Sequence, residues 1–281
     1  MTGVLTIVGL GPGDARHRTP AATEAIADAE AVYGYSAYIE VCDDILRPDQ
    51  FVVRGRMTEE RLRAEQAVDD AAAGRRVVLV SSGDAGVYGM ATLALSKASE
   101  IEETVRPEVR VLPGVTAALA ASALVGAPLA HDFACLTLSD LLTPWEEVER
   151  RLRAVADADL AIALYNPRSK GRPWQLDRAR QVLLERRAPA TPVALVADIA
   201  RDGQRVELTT LADLDCDKVG MTTTVLVGSS TTRRFGDWLV TPRSAAGKGA
   251  ARGGADDQDS ADRAAADRTA ADRTVAERGA G

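Results

Sequence analysis

Histidine, cysteine and aromatic residues are all scarce in this chain. Two histidines (His17, His131) and three cysteines (Cys42, Cys135, Cys216) are spread over 281 residues without a CxxC pair. That spacing excludes a sequence-visible structural zinc site or iron–sulfur cluster and argues against a disulfide scaffold, so no bound metal is expected. No apolar run approaches the roughly 20 residues of a membrane span, and the start lacks a signal-peptide pattern. The expectation is a cytoplasmic protein with no membrane partner. A net charge of -7 gives no reason to expect nucleic-acid binding. A phosphate-cradling P-loop is excluded as well, because no Gly-Lys-Ser/Thr triplet follows the glycine loop near the start.

Hydrophobic residues make up 46% of the chain, enough for the cores of two ordinary domains. Strand and helix patterns alternate from the beginning. Residues 5–8 read as a strand, and Thr19 with Pro20 as the N-cap and first residue of a helix to about Ala29. Short strands are expected at 31–33 and 51–53, then a helix capped by Thr58 and stopped by Gly74. The continuous apolar run 77–81 has the pattern of a buried parallel strand, followed by a helix over 88–103 and a strand over 109–112.

Pro113-Gly114 punctuates the chain there, giving an N-terminal α/β domain over 1–112 and a C-terminal one over 113–243. The second begins with an alanine-rich helix at 116–125. Its strands are expected at 133–138, 160–164, 193–196, 205–209 and 223–227, with helices at 145–155 and 174–187. Successive strands without helices between them predict a mixed sheet. Two α/β domains with one hinge imply a cleft, where small-molecule sites usually lie. Residues 244–281 are nearly all Ala, Asp, Arg, Gly and Thr, with a near-repeat through Ala261-Asp262-Arg263 and Ala266-Asp267-Arg268. Such a segment buries too little apolar surface to offset its ordering entropy and is expected to be a disordered tail.

Five segments at strand ends carry the chemistry. Gly9-Leu10-Gly11-Pro12-Gly13-Asp14 resembles a dinucleotide fingerprint, but its third glycine comes early and Asp14 stands where that glycine belongs. A carboxylate there repels a pyrophosphate, so a neutral or cationic ligand is expected. Ser82-Gly83-Asp84-Ala85-Gly86-Val87-Tyr88-Gly89 carries more glycines than a strand-to-helix turn needs and is read as a site whose exposed backbone contacts a ligand. In Leu112-Pro113-Gly114-Val115-Thr116-Ala117, Thr116 suits a helix cap and a ligand contact equally. In Leu138-Ser139-Asp140-Leu141-Leu142-Thr143-Pro144-Trp145, a helix cap at Thr143 and Pro144 leaves Ser139 and Asp140 unexplained. Tyr165-Asn166-Pro167-Arg168-Ser169-Lys170-Gly171-Arg172 places three cations within five residues, suited to a ligand bearing carboxylates.

The first, second and third of these, together with Thr222-Thr223-Thr224-Val225, resemble the tetrapyrrole methylase family over about residues 3–240. Gly34-Tyr35 and the segments 138–145 and 165–169 resemble its branch that methylates C17 of precorrin-3B, giving precorrin-4, in cobalamin biosynthesis. Many family members carry Gly-Asp-Pro where this chain has Gly83-Asp84-Ala85, and alanine there is usual for the branch. The resemblance implies two α/β domains with the active site in the cleft between them, usually in a homodimer, with S-adenosylmethionine as methyl donor. A methyl group goes to C17 of the macrocycle and the ring contracts.

Carried onto this chain, the resemblance implies donor contacts from Gly83, Asp84, Val87, Tyr88, Thr116, Ala117, Tyr165, Asn166 and Thr224. The macrocycle and its carboxylates are assigned to Gly11, Pro12, Arg16, Arg18, Arg168 and Arg172. Proton transfers during contraction are assigned to Asp132, Ser139 and Asp140. The substrate is precorrin-3B, the cobalt-containing analogue of the anaerobic route, or another precorrin. A nicotinamide oxidoreductase fails on glycine spacing and on the missing acidic residue after a second strand, and a non-catalytic binding module leaves the cleft unexplained.

Overall fold

The computed structural model describes residues 3–243, so the tail expected at 244–281 lies outside the described residues. The first part of the chain runs β1 (Val4–Gly9), α1 (Pro20–Asp28), β2 (Ala31–Tyr35), α2 (Ser36–Glu40), β3 (Phe51–Gly55), α3 (Glu60–Ala72), β4 (Arg76–Ser81), α4 (Ala91–Ser99) and β5 (Glu108–Leu112). Its strands form one parallel sheet in the order β3-β2-β4-β1-β5. Side chains alternate across a strand, so each strand feeds two cores. Leu5, Ile7, Val77 and Leu79 point to the side of α3 and α4, whereas Val8, Val78 and Val80 meet α1 and α2. Each such side chain, wholly buried, contributes about 1.5–3 kcal/mol.

The second part runs α5 (Ala117–Val125), β6 (Gly126–Ala127), β7 (Phe133–Thr137), α6 (Trp145–Asp157), β8 (Ala161–Tyr165), α7 (Gln175–Leu184), β9 (Pro192–Ala197), β10 (Arg205–Thr210), β11 (Thr223–Val227), β12 (Arg233–Phe235) and β13 (Trp238–Val240). The second sheet has the order β10-β9-β11-β8-β7. It is mixed, as the strand succession predicted: β7 and β8 are parallel, and β11 runs antiparallel to both β8 and β9. Helices α6 and α7 cover one face, over Ile162, Leu164, Val193 and Val225. The alanine-rich α5 covers the other, where Ala161, Ala163 and Ala194 present small side chains to Ala118 and Ala121. Small residues on both sides let helix and sheet approach closely. A short sheet, β12-β13-β6, was not foreseen; its strands of two or three residues carry no period long enough to read.

Thr19 caps α1 by accepting from the Ala22 amide, with Pro20 in the first turn, as expected. Three other helix starts differ. Thr58 does not cap α3: it takes a φ of 71°, and the carboxylates of Glu59 and Glu60 fold back to accept from the amides of Arg56 and Thr58. The helix expected from Tyr88 begins at Ala91, because Tyr88 turns left-handed (φ 52°) and the Ser81 hydroxyl accepts the Met90 amide. Pro144, not Thr143, occupies the cap position of α6, and no side chain caps it.

Glu149 joins α6 to α7. Its carboxylate accepts from Arg178 at 2.7 and 2.8 Å, from Arg153 at 2.7 Å and from the Trp145 indole at 3.2 Å. The hydrogen bonds from Arg178, helped by Arg153 and Trp145 and opposed by burial, bring its pKa down from 4.5 to about 2. A depressed carboxylate contributes stability above its unfolded pKa and loses it as pH falls through the folded one. Glu149→Gln should therefore lower Tm at neutral pH by about 2–4 °C, for a loss near 1 kcal/mol. The gap between variant and parent should close between pH 4.5 and about 2, read by thermal melts across that range.

Candidate active site

The connection leaving β1 runs to one side of the first sheet and that leaving β4 to the other, so the crevice between these neighbours is the topological switch point. Two glycine turns meet there backbone to backbone. The Gly11 amide donates to the Gly83 carbonyl (3.1 Å) and the Gly83 amide to the Gly11 carbonyl (2.8 Å). A third turn joins them through Asp84, whose Oδ1 accepts from the Gly86 amide (2.8 Å) and Oδ2 from the Gly114 amide (3.0 Å). A Cβ on Gly114 would sit 2.1 Å from the Gly83 carbonyl oxygen, and one on Gly9 would sit 2.7 Å from the Gly114 nitrogen. Part of the backbone that the sequence reading gave to a ligand is thereby spent within the protein. Gly83 uses both of its groups on Gly11, and the Gly86 amide is taken by Asp84.

Tyr88 and Tyr165 link the two sheets. The Tyr88 hydroxyl donates to the Cys135 carbonyl in β7 (3.0 Å), and its ring lies 5.0 Å from that of Tyr165. The Tyr165 hydroxyl accepts from the Ala118 amide (2.8 Å) and pairs with the Thr116 hydroxyl (2.6 Å). Thr116 sits at the cap position of α5 without capping it; the phenol from β8 satisfies the free amide instead. Burial raises the pKa of both tyrosines, that of Tyr88 to about 12, so both remain neutral phenols at physiological pH. Val87 and Ala117 are half-buried beside them. Thr224 is buried in β11, on the same face as Leu226, which packs toward α5.

Thr137 was not foreseen. Its hydroxyl accepts from the Asn166 side chain (3.0 Å) and the Ser139 amide (3.2 Å), fixing the turns after β7 and β8. Asn166 takes a left-handed φ of 50°. Asp140 accepts from Gln175 Nε2 at 3.0 Å.

Asp132 is corrected. It is exposed and precedes β7, at the opposite end of that strand from Ser139 and Asp140. A five-residue strand spans about 17 Å, too far for one proton-transfer site. The expected carboxylate-binding arginines are largely engaged within the protein. Arg18 is buried and bound to Asp44 at 2.6 Å, and Arg168 pairs with Asp217 at 2.6 Å. Arg172 is buried and donates to the Asn166 carbonyl at 3.0 Å, bracing that turn. Arg16 stays exposed and pairs with Asp14.

Asp14 is no bare charge. Burial opposes its ionisation, but hydrogen bonds from His17 and Arg16 prevail and bring its pKa down to about 2. Pro12 is buried, and its carbonyl accepts from Arg201 Nε (3.1 Å), whose Nη2 also donates to the Ser82 hydroxyl (3.3 Å). Arg201 follows β9 after two left-handed residues, Asp198 and Ala200. The rule that ligands sit beyond strand carboxyl ends would have found it.

Tyr165→Phe removes the acceptor for Ala118 and the partner of Thr116 at once. Loss of a cap costs about 1–2 kcal/mol, so Tm should fall by about 2–8 °C in a thermal melt.

Residues 4–215 match the Tetrapyrrole (Corrin/Porphyrin) Methylases. The chain is 44% identical to the cobalt-factor III methyltransferase of Priestia megaterium over 86% of its own length, and spans 45% of that longer protein. It is also 44% identical to the precorrin-3B C(17)-methyltransferase of a Sinorhizobium species, over 88% of this chain and 99% of that one. The crystal structure of the methyltransferase CobJ superposes with a TM-score of 0.81 at 41% identity, covering 86% of this chain and all of that one. This chain belongs to the tetrapyrrole methylase family.

Proposed function

We propose that this protein transfers the methyl group of S-adenosylmethionine to C17 of precorrin-3B, with ring contraction to precorrin-4, in cobalamin biosynthesis. The observation carrying this reading is the joined cleft at the switch point, where Tyr88, Thr116 and Tyr165 stand together at the ends of two sheets. Those walls offer phenols, hydroxyls and aromatic faces without a phosphate nest. They fit a phosphate-free nucleoside with a sulfonium centre.

The donor supplies an electrophilic methyl carbon, and transfer is an in-line displacement needing no covalent protein intermediate. The protein's part is alignment and exclusion of water. The rings of Tyr88 and Tyr165 offer surfaces for the adenosine, with Val87, Ala117 and Asn166 beside them. Asp84 acts indirectly, by holding the Gly83 and Gly114 turns together. The turn at Gly11 and Pro12, with Arg16, faces the macrocycle. Contraction needs a proton moved near the ring, and we assign that step to Asp140, whose carboxylate accepts from Gln175, with Ser139 next in sequence. A second reading, methylation of the cobalt-containing substrate, is supported to the same degree by the 44% identity to the relative named for cobalt-factor III. The homodimer and a cytoplasmic location belong to the same reading.

Calorimetry should detect S-adenosylmethionine binding and no NAD binding, and Thr224→Ala should weaken the donor. NAD binding without donor binding overturns the assignment. Turnover followed by absorbance and mass with each macrocycle decides between the two substrates. In the same assay Asp140→Asn should lower kcat by about 100-fold or more while leaving donor affinity unchanged. Parent-rate turnover by both Asp140→Asn and Ser139→Ala removes these residues from the mechanism.

A further inference from the structure

Arg63 lies in the first turn of α3, at the carboxyl end of β3, and is only 4% exposed. A buried guanidinium is ordinarily matched by a carboxylate or several carbonyls, because unpaired desolvation costs several kcal/mol. Arg18 has Asp44, while Arg172 and Arg187 each donate to two or more backbone carbonyls. Arg63 has far less. Its Nη1 donates to the Arg56 carbonyl at 3.1 Å, and its Nε is buried with no partner.

The guanidinium packs against the ends of β2 and β3. The guanidinium crosses Gly55, the last residue of β3, where a Cβ would stand 2.5 Å from Nη1. The Ser36 hydroxyl donates to the Gly55 carbonyl (3.0 Å), tying together the ends of β2 and β3. Tyr38 on α2 packs edge-on to Tyr35 at 5.2 Å. Burial raises the pKa of the Tyr38 phenol; the positive fields of Arg201 and Arg63 oppose this, while Tyr35 and Glu60 add to it.

We propose that Arg63, at the end of β3, forms a subsite for one side-chain carboxylate of the tetrapyrrole. This rests on the methyltransferase reading for the identity of the ligand. The donor also has a carboxylate, but the subsite lies at the β3 edge. In the order β3-β2-β4, two strand spacings, about 10 Å, separate it from the Gly83 turn. The macrocycle, broad and bearing carboxylates around its rim, spans that distance. An unmatched buried cation of this kind is a stability cost retained for binding.

The test uses the full chain, Arg63→Met and Arg63→Lys. Each is titrated with uroporphyrin III, a stable octacarboxylate tetrapyrrole, by fluorescence, with S-adenosylmethionine by calorimetry, and then melted. Loss of one charge-assisted contact should weaken porphyrin binding by Arg63→Met about tenfold or more. Its donor affinity should stay within twofold, with Tm unchanged or raised, and Arg63→Lys should keep most of the porphyrin affinity. The proposal is overturned if Arg63→Met binds the porphyrin as tightly as the parent, whatever its Tm. Weakened donor binding in its place, or a parent that does not bind the porphyrin, also overturns it. Absence of methyl transfer by the parent would remove the methyltransferase reading, while the porphyrin titration still decides the subsite.

Discussion

Three peptide turns touch at the carboxyl end of the first sheet with no side chain between them. The approach of Gly9 and Gly83 to Gly114 is closer than any Cβ allows, and the two carboxylate oxygens of Asp84 hold it. Much follows from this contact. Gly114 leads directly into α5, so fixing that turn fixes where the helix starts. The start of α5 in turn carries Thr116 and Ala118 to the Tyr165 hydroxyl in β8. The second sheet is thus held against the first through this glycine contact, Asp84 and the Tyr165 phenol, with Tyr88 and Arg201 bridging beside them.

Around this anchor the charges of the cleft are mostly matched internally. Asp14 is held by Arg16 and His17, Arg18 by Asp44, and Arg168 by Asp217. The remaining groups near the switch point are hydroxyls, amides and phenols whose raised pKa values keep them neutral. Such a wall orients ligands by shape and dipoles, which suits a displacement reaction in which the enzyme's main task is alignment. Arg63 stands apart, a buried guanidinium with one backbone carbonyl as partner and an Nε that has none.

Much of the fold was legible because its signals are local. The run 77–81 is continuous and apolar, and a strand buried on both faces must be so. Thr19-Pro20 and Gly74 obey capping chemistry that depends on neighbouring residues alone. The failures share a cause. Thr58, Thr116 and Thr143 all have the right side chain for a cap, and in each case other groups decide the outcome. Glutamates fold back near Thr58, and a tyrosine 49 residues away takes the place of Thr116. Asp132 was misplaced because it precedes its strand, whereas ligands sit beyond the carboxyl ends, a rule that was not applied to it.

By itself the sequence determined the alternation of strands and helices, the mixed character of the second sheet, and the segments that end at the cleft. These depend on side-chain period and turn chemistry within a few residues. Its motif set also determined the family. Only the tertiary structure decided which polar groups remain available to a ligand. Arginines that look alike in sequence differ because Arg18 and Arg168 find distant carboxylates and Arg172 distant carbonyls, whereas buried Arg63 has only the nearby Arg56 carbonyl and an unpartnered Nε. Desolvation and partner geometry set those roles, and both come from residues far apart in the chain.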